Sequence, residues 1–323
     1  MEANDRLETV SGADADDSLE TVGGADADDR FEMVGPDYVK RESAVKVATF
    51  RDWFKGKPII ACLVFTLILM GCLFAEFLIN HDPSQFYLTN LNQPPNSEFY
   101  FGTDSMGRDI YSIIWQGGRA SLLIGVLSTI ILTVVGVIYG CLSGSTGSFG
   151  DNVMMRAVEL VQSIPTLLMI LLIISLMATQ NVLSISFVIG ITAWFALARI
   201  VRSEVRQIRN SEYVLASRCM GSSFLFRMRK HLIPNFVSAI MFVVISSVAT
   251  NIGMESTLSF LGLGLPVEVL SWGSMLALAD RALLLNTWWV IVIPGAFLVV
   301  TLLCLTQMGN FFRERTNRRP SNI

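Results

Sequence analysis

The sequence predicts an all-α polytopic membrane protein with six spanning helices and both termini cytoplasmic. Three observations predict it. Of 323 residues, 52% are hydrophobic and only 16% charged, where an ordinary soluble domain has about a quarter charged. The apolar residues gather into six runs long enough to cross roughly 30 Å of hydrocarbon at about 1.5 Å per residue. Lysine and arginine are concentrated in every second connection, the pattern that orients a multi-pass chain. A soluble enzyme and a disordered protein are both excluded by this composition.

Residues 1–37 hold twelve acids against Arg6 and Arg30, a net −10, so the chain's total of −3 leaves +7 for the remainder. The stretch Leu7-Glu-Thr-Val-Ser-Gly-Ala-Asp-Ala-Asp-Asp17 recurs as Leu19-Glu-Thr-Val-Gly-Gly-Ala-Asp-Ala-Asp-Asp29. A twelve-residue acidic repeat is too short for a solenoid unit and too poor in apolar surface to fold, so residues 1–38 are expected to be a disordered tail. It is acidic and has no apolar stretch before residue 58, unlike a cleaved secretory signal.

Residues 39–57 turn basic: Lys40, Arg41, Lys46, Arg51, Lys55 and Lys57 alternate with Val47, Phe50, Trp53 and Phe54. Two readings stand side by side. One is a short amphipathic helix along the inner membrane surface; the other is a basic flank that orients the next segment.

The transmembrane domain is expected over 58–312, with spans near 59–79, 120–142, 154–177, 183–201, 236–258 and 287–308, and a basic tail over 313–323. With the N-terminus inside, the inner segments hold all the lysines and arginines except Arg108, Arg119 and Arg281. That bias fixes the orientation.

Polar residues inside spans are costly and mark candidate sites. Glu76 lies near the outer end of the first span, where a headgroup-level carboxylate costs little, and is read as structural. Glu159 and Gln162 with Pro165 in the third span, and Glu255 in the fifth, sit deeper. Two readings remain for the three polar groups: a translocation path, or hydrogen bonding between helices and snorkelling. Gly136, Gly140 and Gly144 form a small-residue stripe that lets another helix approach closely. Cys62, Cys72, Cys141, Cys219 and Cys304 form no CxxC pair and are read as small buried residues without disulfide or metal role.

Catalytic constellations are absent. The sequence contains no HExxH, no GxSxG and no Walker-A run, and its only histidines, His81 and His231, fall in connections on opposite sides. Gly262-Leu-Gly264 is too short a fragment for a phosphate loop. No catalytic residue, metal site or cofactor is therefore expected in this chain. Any ATP-driven step must be supplied by another subunit.

The connection 202–235 is too long for a helical hairpin. It reads Glu212-Tyr-Val-Leu-Ala-Ser-Arg-Cys-Met-Gly221, then Ser222 to Lys230, then His231-Leu-Ile-Pro-Asn235. Ala216 and Ser217 leave an open surface on a short helix, Gly221 permits a sharp break, and Pro234 starts the next segment. This shape suits docking in a groove of a partner protein.

The spacing resembles the EAA loop of ABC-importer permeases, E-A-A-x-x-x-G-x9-I-x-L-P. Ala216, Ser217, Gly221, Ile233 and Pro234 fill matching places, while Leu215 stands at the Glu place and His231 at the Ile place. Three further stretches agree in order with the peptide branch of that family. They are Asp52-Trp-Phe-Lys-Gly-Lys-Pro58 with His81-Asp-Pro83; Phe101-Gly-Thr-Asp-Ser-Met-Gly-Arg-Asp-Ile-Tyr111 with Gly118-Arg-Ala-Ser-Leu122; and Glu255-Ser-Thr-Leu-Ser-Phe-Leu-Gly-Leu-Gly264 with Ser271-Trp-Gly-Ser-Met-Leu276. The chain thus resembles the C-type membrane subunit of a dipeptide/oligopeptide/nickel importer over roughly residues 50–310.

The resemblance implies a type I ABC importer permease in a bacterial inner membrane, forming half of a translocation path for oligopeptides or dipeptides. It implies a homologous B-type permease, two ABC ATPase subunits that bind ATP and Mg, and an extracytoplasmic solute-binding protein as partners, besides the lipid bilayer; nucleic acid is not among them. Glu212, Ala216, Ser217, Arg218, Gly221 and Pro234 would couple to the ATPase, Arg218 either by an ion pair or as a solvated charge. The outer stretches Asp104–Tyr111 and Leu265–Arg281, with Trp272, Glu268 and Asp280, would dock the binding protein. Nickel or another small solute is an alternative cargo. A stand-alone secondary transporter using Glu159 and Glu255 is the rival from another class.

Overall fold

A computed structural model describes residues 58–177, 179–266 and 269–317. The chain divides into Met1–Trp53 and Phe54–Ile323; the described residues belong to the second unit. The acidic repeat tail, the basic segment 39–57, Glu268 and the tail from residue 318 lie outside the described residues. All named elements are helices, and the described residues hold no strand, only an isolated bridge between Thr103 and Asp109.

The first helix, α1 (Ile59–Leu73), is apolar on every side and breaks at Phe74 before the single turn α2 (Ala75–Leu78). Arg119 braces the carbonyls at the break: Nε donates at 2.7 Å to the Cys72 carbonyl, which also accepts a backbone N–H, and an η nitrogen donates to that of Leu73 at 2.8 Å, while the other pairs with Glu76 at 3.1 Å. Glu76, read from its position near the span end as structural, has a 74% exposed side chain in this ion pair.

α3 (Ile110–Ser145) is 36 residues long and starts ten residues before the span expected at 120. Asp109 caps it by accepting from the Ser112 amide at 3.1 Å. The first turns pack into a core cluster through Ile110, Ile113 and Ile114 with Met275 and Trp289, which carries the helix through Gln116, Gly117, Gly118 and Arg119.

The expected third span is two helices, α4 (Ser148–Gln162) and α5 (Thr166–Leu176), bent by 81° at Ser163-Ile164-Pro165. Pro165 lacks an N–H and disfavours helical backbone at the residue before it. The fourth is likewise broken, into α6 (Val182–Ala193) and α7 (Phe195–Arg209), with a 48° bend at Trp194. α7 runs eight residues past the expected end. It carries Leu197, Ala198, Val201 and Val205 on a buried face, and the helical spacing of that stripe continues through the arginines between.

Beyond it lie α8 (Glu212–Cys219), α9 (Phe224–Arg227) and a π-helical stretch, Met228–Leu232, that runs into α10 (Ile233–Phe260) with Pro234 in its first turn. At the other end of α10 come α11 (Trp272–Leu276) and α12 (Ala279–Leu284), then α13 (Trp289–Asn317). α3, part of α10 (Ala239–Phe260) and most of α13 (Trp289–Glu314) are long and apolar enough to cross a membrane. The two bent pairs raise that number to five if each is one span. α1 is apolar but has only 15 residues, about 22 Å of helix.

α3 is the central element, packed against α6, α7 and α10, with α13 lying along α10 and touching the start of α3. The small-residue stripe meets α7. A Cβ on Gly140 would lie 2.5 Å from the Ala198 carbonyl oxygen, and Gly136 and Gly144 face Leu197 and Val205 in the same way. Leu63, Leu67, Ile130, Val134, Leu168 and Leu172 are exposed, an apolar exterior suited to lipid or to a partner helix. All five cysteines are free; Cys72, Cys141 and Cys304 are buried as expected, but Cys62 is half-buried and Cys219 exposed.

Candidate functional site

Two polar assemblies stand at opposite ends of α10. The first surrounds the connection between α7 and α10. Glu212, Tyr213, Leu215, Ala216 and Cys219 are exposed on α8, as is Met220 just after it, while Val214 and Ser217 turn inward. The expected small pair is therefore split: Ala216 lies on the surface and Ser217 holds the turn. The Ser217 and Ser222 hydroxyls are 2.9 Å apart, and the Ser222 hydroxyl donates to the Ser217 carbonyl at 2.7 Å. Gly221 has φ +77° with nothing within 4 Å of a Cβ placed there, so the residue is needed for its backbone angle and not for space. Arg218 belongs to α8, and Pro234 lies in the exposed first turn of α10.

This connection stands on a rigid base that the sequence did not point to. Asp151, on α4, is 2% exposed. It receives both Arg202 side-chain donors, an Arg206 η nitrogen at 2.7 Å and the Ser143 hydroxyl at 2.6 Å. Arg209, one turn further along α7, donates to the carbonyls of Ser145 and Thr146 at 3.0 Å, at the end of α3. One carboxylate and three arginines thus tie the α3–α4 corner to the last turns of α7. The available signal was the i, i+4 spacing of Arg202 and Arg206, read only as orienting charge. Asp151→Asn is expected to destabilise the fold by about 2 kcal/mol, because it leaves two partly exposed guanidiniums without their buried countercharge. The unfolding midpoint of the solubilised chain checks this, with a smaller loss for Arg206→Gln, whose side chain is 47% exposed.

The second assembly centres on Glu255, which is fully buried. Its carboxyl accepts from the hydroxyls of Ser259 at 2.9 Å, Ser271 at 2.9 Å and Ser121 at 3.2 Å. Ser121 in turn accepts from the Trp272 amide at 3.1 Å, and the Trp272 indole donates to the Ile114 carbonyl at 3.0 Å. Ser271 also caps α11. A Cβ on Gly273 would lie 2.7 Å from the Ser256 Cα, so the backbone of α11 rests directly on α10. Glu255 joins α3, α10 and the segment before α11.

Glu159 and Gln162 are elsewhere, exposed on the last turns of α4 beside the bend. Glu159 pairs with Arg156 at 2.7 Å. No hydrogen bond or ion pair among the described residues joins them to Glu255. Of the expected outer dock, Asp104 is buried in a turn, accepting from the amides of Met106 and Arg108 and from Arg108 Nε at 2.8 Å. Trp272 is buried, while Asp280 and Arg281 are exposed.

Several long or broken apolar helices around a central one, with an exposed short helix braced at one end, define a polytopic membrane component. The chain belongs to the family described as the binding-protein-dependent transport system inner membrane component, whose profile matches residues 136–319, from the middle of α3 onward. It is 34% identical over 275 residues to the oligopeptide transport system permease protein OppC of Bacillus subtilis, covering 85% of this chain and 90% of that protein. It is 37% identical over 280 residues to the dipeptide transport system permease protein DppC of the same organism, covering 86% and 87%. A crystal structure of an amino acid ABC transporter aligns at TM-score 0.47 with 18% identity, over 63% of this chain and 94% of that one.

Proposed function

We propose that the chain is the permease subunit of an ATP-driven importer of oligopeptides or dipeptides, forming half of the translocation path. Support for the cargo comes from the peptide permeases it resembles over most of its length. The observation that carries the mechanism is the exposed α8, set on the Asp151 base between the two helices it joins. In this reading α1 with α2, α3, the two bent pairs, α10 and α13 make six crossings of a bacterial inner membrane. Both termini, the tail 1–38, the flank 39–57, the segment 202–235 and the tail 313–323 face the cytoplasm, where basic residues collect.

A homologous second permease supplies the other half of the path, two cytoplasmic ATPase subunits bind ATP and Mg, and an external binding protein delivers the peptide. This chain holds no cofactor and catalyses no bond cleavage. α8 enters a groove of one ATPase subunit with Ala216 outermost and Glu212 at its polar margin, followed by Met220; Arg218 belongs to the same segment. Closure of the ATPases pushes α8, and its base passes the displacement to α7, α3 and α10 as one body. Glu159 and Gln162, exposed beside the 81° bend, face the second permease or the path.

Reconstitution tests this reading. ATP-dependent peptide uptake is expected only when the permease pair, ATPases and binding protein are all present; uptake by this chain in vesicles without ATPase would refute it. Gly221→Leu is expected to insert and fold, because the space is open, while the positive φ costs about 1–2 kcal/mol and re-aims the end of α8. Uptake should fall severalfold, with Gly221→Asn in between because asparagine tolerates this region better. Unchanged uptake in Gly221→Leu would count against a hinge there.

A further inference from the structure

A cavity of about 350 Å³ lies beneath α8. Its lining includes Ser145 at the end of α3, Arg209 at the end of α7, Val214 and Leu215 on α8, and Arg227 on α9. Two half-buried arginines therefore line one partly open cavity, and none of the residues lining it is acidic. Asp151, the buried acid of the neighbouring base, is already bound by Arg202, Arg206 and Ser143.

Arg209 uses one η nitrogen on the α3 carbonyls, and Arg227 uses one on the Ser222 carbonyl. A guanidinium has five N–H donors, so each arginine has donors left for a ligand. The Ser145 hydroxyl is buried and has no hydrogen-bond partner. An orphaned hydroxyl beside two arginines, with no carboxylate in the lining, describes a site for an oxyanion. A phosphate group suits it better than a carboxylate, since its oxygens point in more than one plane and can meet both guanidiniums and the hydroxyl together.

We propose that this cavity is a phosphate-binding site that holds α8 against the ends of α3 and α7. The phosphate group comes either from a soluble phosphate compound or from an anionic lipid headgroup. Val214 and Leu215 form the α8 wall, so a bound group fixes the angle at which α8 is presented. Occupancy then sets how readily the coupling segment engages its partner, whatever the cargo.

The test uses the full chain in phosphatidylcholine nanodiscs with inorganic phosphate as probe, read by calorimetry. A second arm uses mixed phosphatidylcholine–phosphatidylglycerol nanodiscs and measures phosphatidylglycerol retained by the chain after delipidation. Saturable phosphate binding that weakens about tenfold in Arg227→Gln supports the site with a soluble source. Phosphatidylglycerol retention that Arg227→Gln abolishes supports it with a headgroup source. Ser145→Ala, which removes one unpaired hydroxyl, is expected to weaken the same binding severalfold without lowering the unfolding midpoint, and carries the test if Arg227→Gln does not fold. Binding equal in parent and variants, or none in either arm, overturns the proposal. Neither readout depends on peptide uptake, so its failure leaves the importer reading untouched.

Discussion

Glu255→Ala is expected to be the most damaging single change outside the coupling segment, costing about 3 kcal/mol or more and abolishing uptake. Burial gives the reason. The hydroxyls of Ser121, Ser259 and Ser271 all lose their acceptor at positions at most 3% exposed, and a buried polar group left unpaired costs about 1–3 kcal/mol. The removed side chain also leaves a void between α3, α10 and α11, with a further penalty. Ser271 and Trp272 then lose their anchorage to α10 and α3 together. The unfolding midpoint of the solubilised chain and uptake in reconstituted vesicles measure the two effects.

Glu255→Gln separates two roles for the carboxyl. A latch needs an acceptor of the right shape, which glutamine keeps, and the serine hydroxyls can rotate to accept from its amide. Stability and uptake should both survive. An ion or proton carrier needs a group that titrates, so stability retained with uptake lost would overturn the latch in favour of the secondary-transporter mechanism.

Gly140→Leu ranks second, with an expected loss of about 3 kcal/mol. Its Cβ would lie 2.5 Å from the Ala198 carbonyl oxygen and 2.7 Å from the Val201 Cβ. Backbone cannot rotate away as a side chain can, so α3 and α7 must separate. That opens the cluster of Leu132, Leu197, Val201 and Phe236 and disturbs the arginines beyond Val201. Gly147→Leu is the matched control, since nothing lies within 4 Å of a Cβ there. A lowered unfolding midpoint for both, or for neither, would show that close approach to α7 is not what the stripe provides.

Much of the fold was legible because it is written in local terms. Apolar runs marked the long helices, while the buried α11 fell in a stretch read as an outer connection and the break at Pro165 in a run read as one span. Gly221 marked the turn after α8, and the small-residue stripe marked a close helix contact without naming its partner. Helix ends were less legible. α3 begins early because its first turns, cut off from the long apolar run by Gln116-Gly-Gly-Arg119, meet a core cluster built from residues about 165 and 180 positions further along. α7 continues through a run of arginines because Asp151 neutralises two of them. Hydropathy sees a charged stretch and ends the span; the folded chain has a partner for it.

The candidate site divides in the same way. The segment Glu212–Gly221 was legible because its glycine, small residues and length are local properties. The inward turn of Ser217, the separation of Glu255 from Glu159 and Gln162, and the burial of Trp272 were not. Each depends on which face of a helix meets another helix, and neither spacing nor composition of one segment contains that.

By itself, then, the sequence determined a membrane protein and a short glycine-ended segment, Glu212–Gly221, between two of its apolar runs, since hydropathy and backbone preference act within a few residues. Only the tertiary structure decided that Asp151 braces the last turns of α7 from 51 residues away and that Ser121 reaches Glu255 across 134. A buried charge or carboxyl is tolerable only beside its partners, and those partners become neighbours only when the chain is folded.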